Sequence, residues 1–302
     1  MSFGGIISEG ARTFNYVLAH PMSASVGSKL RATRKCLSWY VLSILRDGAL
    51  EMDFVDGSRL LTKRKVASRE LYWTGLHEFH DMAFVAHCLR PDETFVDVGA
   101  NVGAYSVLAA KSSRARCVAF EPAGTSFELL ERNVALNDLG DRIDSRQCAV
   151  GAEAATVHVT SELGARNMVA EDQDGAQQVE QVVLDSLLDE GLAPTVIKVD
   201  VEGYETNVFN GAKDILSMPT LQALLVEAHG HGAQYGFDER ELHETIVGYG
   251  FTLCGYLPFD RDLVVGEYDP GTQSNSIYVR NPEEAKHRVR EADQLRIFNA
   301  TI

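Results

Sequence analysis

The spacing of apolar residues predicts a helix and a β-hairpin near the amino-terminal end of the chain. Over residues 29–46, four basic residues precede an apolar run that contains Trp39 and Tyr40, which predicts a helix with a basic end. Apolar and polar residues then alternate over residues 50–54, before the dipeptide Asp56-Gly57. Because this dipeptide favours a tight hairpin turn, we expect two short antiparallel strands here.

Strand-like and helix-like segments alternate from about residue 80 onward. Short apolar runs at residues 94–98, 116–120, 196–199 and 221–226 indicate buried strands, and helical patterns separate them. This alternation predicts an α/β fold in which a mostly parallel sheet has helices on both faces.

The end of the chain and one inner helix carry further signals. Residues 251–256 and 276–279 predict two strands that close the sheet. The capping-box pattern Thr125-Ser-Phe-Glu128 predicts the start of a helix. Asn281-Pro282 predicts the start of a carboxyl-terminal helix, because Asn caps helices and Pro suits their first turn.

Composition and charge narrow the classes of partner. The chain has 302 residues, of which 45% are hydrophobic and 24% charged, as in ordinary globular proteins. Its formal net charge of -15 should repel the phosphates of nucleic acid. The charge is uneven, since residues 1–70 carry +5 and the rest of the chain -20. We therefore expect no nucleic-acid partner and an amino-terminal segment with a different surface.

Cysteine spacing and hydropathy point to a cytoplasmic protein. The five cysteines are widely spaced and include no Cys-x-x-Cys pair, so neither a disulfide framework nor a zinc knuckle is predicted. No segment approaches the roughly 18 uninterrupted apolar residues of a membrane span. The first thirty residues also lack a basic start followed by an apolar run. We expect a protein that is neither secreted nor transmembrane.

A glycine-bearing turn follows the first predicted strand of the sheet. Its pattern is Asp97-x-Gly99-x-Asn101-x-Gly103, and a helical run comes directly after it. Glycines let a backbone approach a ligand closely, and a helix start presents free N–H groups. The pattern differs from the Gly-x-Gly-x-x-Gly fingerprint of dinucleotide folds. A nicotinamide or flavin dehydrogenase is therefore the weaker interpretation.

Glu121 ends the next predicted strand and is the firmest candidate for cofactor binding. At the carboxyl edge of the sheet its carboxylate can accept hydrogen bonds from both ribose hydroxyls of an adenosine. The alternative is a solvated acid or a charge at a helix start. Asp97 can brace its own turn, and it can also bind the amino group of a methionine moiety.

Acidic and histidine side chains follow two later strands. Asp200 and Glu202 come after residues 196–199, and Glu227 and His229 come after residues 221–226. Ligands of open α/β sheets bind outside the carboxyl ends of the strands, so these four are candidate catalytic residues. Asp200 as a helix cap and His229 as a solvent-facing loop residue remain the alternatives.

A third group of polar residues, from His77 to Asp81, also resembles a cluster of metal ligands. It lies in an amphipathic helical run ahead of the sheet. Its spacing matches none of the zinc signatures, so no metal site is predicted there.

With these motifs the chain resembles the FkbM family of S-adenosylmethionine-dependent methyltransferases. The resemblance covers about residues 75 to 230, and three blocks in the family's order make chance agreement improbable. The matching blocks are residues 95–106, residues 120–122 with 133–137, and residues 197–205 with 211–212.

The resemblance implies a Rossmann-like methyltransferase sheet that binds S-adenosylmethionine. It implies Gly99, Asn101 and Gly103 around the methionine end and Glu121 on the ribose, while Asp97 and Asp200 are further candidate contacts of the cofactor. It also implies methyl transfer to an oxygen, often of a sugar or of a natural-product hydroxyl. The expected partner is thus a small-molecule or glycan acceptor.

The base and the need for a metal ion stay open. Asp200 or His229 is the candidate base for removing the acceptor proton. By analogy with other oxygen methyltransferases, Asp200, Glu202 and Glu227 are candidate ligands of Mg²⁺, if a metal ion takes part.

We expect three parts in the chain. Residues 1–70 form a helical and hairpin extension, residues 71–280 the S-adenosylmethionine-dependent methyltransferase domain, and residues 281–302 a helical tail. A catalytically silent scaffold or partner subunit that binds the cofactor remains the alternative, although the acids at 200, 202 and 227 argue against it. The sequence leaves open which acceptor is used and whether the chain forms a homo-oligomer.

Overall fold

A computed structural model of the protein describes most of the chain. The described residues are 19–23, 26–45, 48–63, 69–160, 169–170, 176–227, 231–269, 275–298 and 300–302. No helix within them is both long enough and apolar enough to cross a membrane.

The strands of these ranges belong to one large sheet, one smaller sheet and two hairpins. In chain order they are β1 (Leu50–Asp53), β2 (Arg59–Thr62), β3 (Thr94–Val98), β4 (Arg116–Phe120), β5 (Ile143–Arg146), β6 (Ala149–Gly151), β7 (Ala155–Val159), β8 (Val169–Ala170), β9 (Gln177–Val183), β10 (Pro194–Val199), β11 (Ala223–Val226), β12 (Thr252–Leu257), β13 (Asp262–Val265), β14 (Ser276–Val279), β15 (Arg296–Ile297) and β16 (Ala300–Thr301).

The α-helices of the same ranges vary from one turn to more than five turns in length. They are α1 (Val26–Leu45), α2 (Arg69–Thr74), α3 (Phe79–Cys88), α4 (Ala104–Leu108), α5 (Gly124–Leu136), α6 (Ser186–Asp189), α7 (Glu205–Asn210), α8 (Lys213–Ser217), α9 (Glu239–Gly248) and α10 (Pro282–Glu291).

The large sheet confirms the predicted Rossmann-like methyltransferase fold. Its strand order is β13-β12-β14-β11-β10-β3-β4-β5. The five strands from β5 to β11 are mutually parallel, whereas β14 is antiparallel to both of its neighbours. Because parallel strands end at the same edge, the residues that follow β3, β4, β10 and β11 are brought to one side of the sheet.

Helices cover both faces of this sheet, as the alternation of elements predicts. Successive strand residues point to opposite faces, so Phe95 packs in one hydrophobic cluster and Val96 in the other. Helices α3, α4, α5 and α10 contribute to the first cluster, and α6 to α9 to the second. Every residue of β10 is buried, which explains its nearly continuous apolar sequence.

Two asparagines fasten the amino-terminal hairpin to α5. The Asn133 side-chain amide accepts a hydrogen bond from the Leu61 N–H at 2.5 Å and donates one to the Leu61 carbonyl at 3.0 Å. Asn137 makes the matching pair with Arg59, at 2.8 and 2.7 Å. One asparagine amide satisfies both backbone groups of a strand residue, so the edge of the hairpin is paired.

The predicted amino-terminal helix and hairpin are confirmed, and the predicted capping box is wrong. Helix α5 begins at Gly124, so Thr125 lies inside its first turn and makes no cap. The start of the helix is instead held by the Glu121 carboxylate, which accepts from the Ala123 N–H at 2.8 Å, and by the Gln177 amide oxygen, which accepts from the Gly124 N–H at 3.1 Å. Glu121, just before the helix, and the distant Gln177 thus take the place of the predicted Thr125 cap.

The sequence patterns did not predict the smaller sheet. It has the order β6-β9-β7-β8 and is inserted between β5 and β10 of the large sheet. Two of its strands, β7 and β9, are only partly buried, so their apolar periodicity is weak. The cap of α10 was predicted correctly, since Asn281 Oδ1 accepts from the N–H groups of Glu283 and Glu284.

Candidate active site

A deep cleft lies at the carboxyl edge of the large sheet, where the chain leaves β3, β4 and β10. It has about 1000 Å³ of empty space, counted out to its open mouth. The cleft spans the position between β3 and β10 at which the strand order reverses. Ligands of open α/β sheets bind at this switch point.

The turn after β3 forms one wall of the cleft. The N–H groups of Gly99 and Ala100 both donate to the Phe120 carbonyl at 2.9 Å, which ties the turn to the end of β4. Gly99 has a φ of 79°, and a Cβ at this position would overlap the carbonyl oxygen of Asp200. Only glycine fits so close an approach at positive φ. Glycine at this position therefore lets the turn after β3 pack against the backbone at the end of β10.

Glu121 lies at the bottom of the cleft with both carboxylate oxygens anchored. One oxygen accepts from the Asn101 N–H and the other from the Ala123 N–H, each at 2.8 Å. Burial raises the pKa of Glu121 to about 7, although these two hydrogen bonds lower it. Each oxygen can still accept a further hydrogen bond, so the carboxylate can bind hydroxyl groups of a ligand.

Two further residues that the sequence predicts as cofactor contacts, Gly103 and Asp97, lie away from the cleft. Gly103 does not line the cleft; it has a φ of 81° at the start of α4, and a Cβ there would strike the Leu130 side chain. Asp97 also lies beneath the cleft floor, only 1% exposed, where it accepts from Ser106 Oγ at 2.7 Å. Both residues shape the site from below, because neither is accessible to a ligand.

Lys198 is buried in β10 between two carboxylates. Its Nζ lies 2.8 Å from Asp200 Oδ2 and 3.8 Å from Asp97 Oδ1, and it faces the Tyr105 ring at 5.0 Å from the ring centre. Burial opposes its charge, but Asp200 and Asp97 hold the pKa of Lys198 above its usual range. A permanent ammonium group therefore lies under the cleft.

Asp200 lies at the cleft surface and stays ionised. Burial opposes its charge, but the Lys198 ammonium holds the pKa of Asp200 below its usual value. Glu227 accepts from the Glu202 N–H at 3.3 Å. Asp200 is thus a stable negative charge rather than a strong proton acceptor at neutral pH.

The structure does not assemble the candidate metal ligands. Glu202 directs its carboxylate to His231 Nδ1 at 3.1 Å, whereas Asp200 is paired with Lys198. Over the described ranges, no three or more His, Cys, Asp or Glu residues are arranged to hold a metal ion. Glu227 does not line the cleft, and His229 lies outside the described residues.

Glu205 holds the turn that carries Glu202. Its Oε1 accepts from the N–H groups of Val201 and Gly203, at 3.0 and 3.1 Å. Burial raises the pKa of Glu205 to about 7 although the backbone hydrogen bonds lower it. This residue belongs to the turn and does not line the cleft.

Sequence reasoning missed a second group of residues around the cleft. His77 and Glu78 line the cleft. They belong to the run from His77 to Asp81, whose spacing matches no zinc signature. Tyr105 donates a hydrogen bond to Glu78 Oε2 at 2.6 Å, and His77 Nε2 lies 3.5 Å from the same oxygen. A lysine inside the apolar run of β10 was the one available signal for Lys198, because lysine is rarely fully buried without a partner.

Fold and cleft together define a Rossmann-like methyltransferase. The sequence profile described as the methyltransferase FkbM domain matches residues 97–257, which is more than half of the chain. The chain belongs to this family. The predicted family and the predicted methyltransferase class of enzyme are confirmed.

Named relatives act on different molecules. The 31-O-demethyl-FK506 methyltransferase FkbM of Streptomyces tacrolimicus is 27% identical over 243 residues, covering 67% of this chain and 86% of the relative. The hexuronic acid methyltransferase AglP of Haloferax volcanii is 28% identical over 178 residues, covering 58% of this chain and 70% of the relative. Among solved structures, the methyltransferase FkbM of Methylobacillus flagellatus has a TM-score of 0.44 and 18% identity, covering 72% of this chain and 56% of that one.

Proposed function

We propose that the protein transfers a methyl group from S-adenosylmethionine to a hydroxyl oxygen of a sugar or of a glycosylated small molecule. The observation that carries the proposal is that the glycine turn at Gly99 and the buried carboxylate of Glu121 line the same cleft. Both belong to one cleft at the switch point of a methyltransferase sheet.

The residues of the cleft fit this cofactor. Glu121 keeps free acceptor capacity at the bottom of the cleft, which suits a ribose with two neighbouring hydroxyls. Asn101 Oδ1 is buried and has no hydrogen-bond partner among the described residues, so it can accept from a bound ligand.

When bound, S-adenosylmethionine supplies a methyl group that its sulfonium already activates. The protein then has two tasks, which are to hold the acceptor oxygen in line and to take up its proton. Glu78 and His77 line the same cleft as Asp200, and they are polar groups available to an acceptor there.

The acceptor class follows from charge and from the relatives' names. The net charge of -20 outside residues 1–70 opposes a polyanion, whereas a neutral or singly charged hydroxylated molecule suffers little repulsion. The names of two relatives refer to a demethylated natural product, 31-O-demethyl-FK506, and to a hexuronic acid. Both are small hydroxylated molecules.

No Mg²⁺ ion is part of the proposal. Asp200 is already ion-paired with the Lys198 ammonium at 2.8 Å, and Glu202 is turned to His231. With its acids so occupied, the site offers a divalent cation few free oxygen ligands. We expect turnover to be insensitive to EDTA.

The test follows labelled methyl from S-adenosylmethionine into separate pools of neutral sugars, nucleotide-linked sugars, small-molecule glycosides, RNA and protein. Label in a sugar or glycoside pool supports the proposal. Label found only in RNA or protein would overturn the acceptor class while leaving the methyltransferase intact. Binding of the cofactor without transfer to any pool would favour a silent scaffold instead.

A further inference from the structure

A second cleft opens next to the cofactor cleft at the same edge of the sheet. It lies between the start of α3, the segment around His20 and the ends of β12, β13 and β14. His77 and Glu78 line both clefts, so the two spaces meet at these side chains. A molecule in the second cleft would reach the cofactor cleft at His77.

The inner end of the second cleft is polar and its outer wall is apolar. His77 and Glu78 form the inner end, where Glu78 Oε2 lies 3.5 Å from His77 Nε2. The outer wall contains Leu257 and Val264, which are 42% and 53% exposed. Phe79 adds a ring that contacts Phe259 at 5.3 Å between centres. Such a surface suits a molecule with one polar, hydroxylated end and an apolar body.

We propose that the second cleft binds the methyl acceptor and that His77 accepts the proton of the acceptor hydroxyl. The inference rests on the proposed function. The hydroxyl oxygen forms a bond to the methyl carbon as the bond between that carbon and the sulfonium sulfur breaks. The sulfur keeps the electron pair of the broken bond, and the hydroxyl proton passes to the His77 imidazole.

Other proton acceptors near the meeting point are less suited to this step. Lys198 holds the pKa of Asp200 below its usual value despite burial, so this carboxylate is a weak base. Burial lowers the pKa of His20 to about 4, and burial also lowers the pKa of His80. His77 Nδ1 is buried, so Nε2, which lies 3.5 Å from Glu78 Oε2, is the ring nitrogen that can take the proton.

Glu78 positions His77 and stabilises the imidazolium that forms. Its carboxylate is itself oriented by the Tyr105 hydroxyl at 2.6 Å. Asp200 adds a second negative charge that interacts with His77. The titratable or charged groups that surround His77 are His20 in the amino-terminal segment, Glu78 beside it, His80 and Asp81 in α3, Tyr105 in α4, Lys198 in β10 and Asp200 at its end.

The experiment compares His77→Asn and His77→Ala with the wild type. Each protein receives labelled S-adenosylmethionine and a metabolite extract of the cells that make it, together with octyl and methyl glucosides as defined probes. We expect both variants to bind the cofactor as the wild type does and to transfer methyl at least about a hundredfold more slowly. Free imidazole should restore part of the activity of His77→Ala, because it can enter the space of the missing ring.

A matched control and the imidazole rescue separate catalysis from structure. His287→Asn changes an exposed histidine of α10, and we expect it to leave the rate unchanged. A residue with a purely structural role would show no imidazole rescue.

The same assay also tests whether the second cleft binds the acceptor. We expect label in butanol-soluble molecules and a preference for octyl over methyl glucoside, which Leu257→Gln should abolish without changing cofactor affinity. Label confined to water-soluble free sugars would overturn the assignment of the second cleft. Full activity of His77→Asn on a molecule that the wild type methylates would overturn the role of His77. If the wild type labels no pool at all, the proposed function fails, and this inference fails with it.

Discussion

Lys198, which is buried, and Asp200, which reaches the cleft surface, form an ion pair across the end of β10, with 2.8 Å between Nζ and Oδ2. The same ammonium lies 3.8 Å from Asp97, which is buried in the neighbouring strand β3. One cation thus lies between two carboxylates from adjacent strands. The arrangement keeps Asp200 ionised and fixes its position at the mouth of the cofactor site.

Replacing Lys198 should destabilise the protein strongly. Lys198→Met keeps the length of the side chain but leaves two carboxylates without their cation, and breaking a buried pair costs about 3 kcal/mol or more. Urea unfolding would measure the free energy. The double variant Lys198→Met/Asp200→Asn should recover part of the loss, because it removes one of the uncompensated charges. A single variant as stable as the wild type would contradict this account of the pair.

Removing the Glu121 carboxylate should weaken cofactor binding. Glu121→Ala loses charge-assisted hydrogen bonds to the ligand, which amounts to about 2 kcal/mol, or about thirtyfold in Kd. Calorimetry with S-adenosylmethionine measures it, and Glu128→Ala, an exposed carboxylate of α5, is the control. Unchanged affinity in a folded Glu121→Ala variant would show that Glu121 does not contact the cofactor.

The affinity of the wild type should also depend on pH. The pKa of Glu121 is about 7 because of burial, so the carboxylate of the free protein gains a proton as the pH falls below 7. A protonated carboxyl is a poorer acceptor for ribose hydroxyls. Binding should therefore weaken from pH 8 to pH 6, and Glu121→Ala should lose this dependence.

Asp200 should matter for turnover more than for binding. We expect Asp200→Asn to retain most of the cofactor affinity and to lower methyl transfer by about a hundredfold, because it removes the negative charge that faces His77 and the reacting groups. Single-turnover rates and calorimetry would separate the two effects. EDTA should leave the wild-type rate unchanged, and a rate that EDTA abolishes and Mg²⁺ restores would instead make Asp200 an ion ligand. Full activity in the Asn variant would reject either role.

Glu205→Gln should change how stability depends on pH. Burial raises the pKa of Glu205 to about 7 from its ordinary value of 4.5, so the folded state binds its proton more tightly than the unfolded state does. Its contribution to stability is complete below pH 4.5 and is lost as the pH rises through 7. The amide keeps the acceptor for Val201 and Gly203 but carries no charge.

We therefore expect Glu205→Gln to be more stable than the wild type at pH 8, by on the order of 2 kcal/mol, and similar to it near pH 4.5. Urea unfolding at both pH values measures the difference. Glu121 has a raised pKa as well and is present in both proteins, so it cancels in the comparison. An equal stability difference at both pH values would contradict the titration of Glu205.

The sequence by itself determined the parallel sheet, the turn at Gly99 and the strand-end position of Glu121. These features depend on short-range patterns, in which a buried strand runs into a glycine turn or an acid within a few residues. The asparagines at 133 and 137 were visible as a motif, but the pattern gave no sign that they bind the hairpin. The motif thus identified Asn133 and Asn137 but not their contacts.

Only the tertiary structure decided which side chains meet. His77 and Glu78 come just before α3, ahead of the first strand of the large sheet. They nevertheless line the same cleft as Asp200, which follows them by over a hundred residues. Gly103 and Asp97 belong to the predicted turn but face away from the cleft, because Leu130 and Ser106 pack against them. Spacing along the chain fixes the direction of a side chain within one element, whereas the packing of separate elements sets its neighbours, its burial and therefore its charge state.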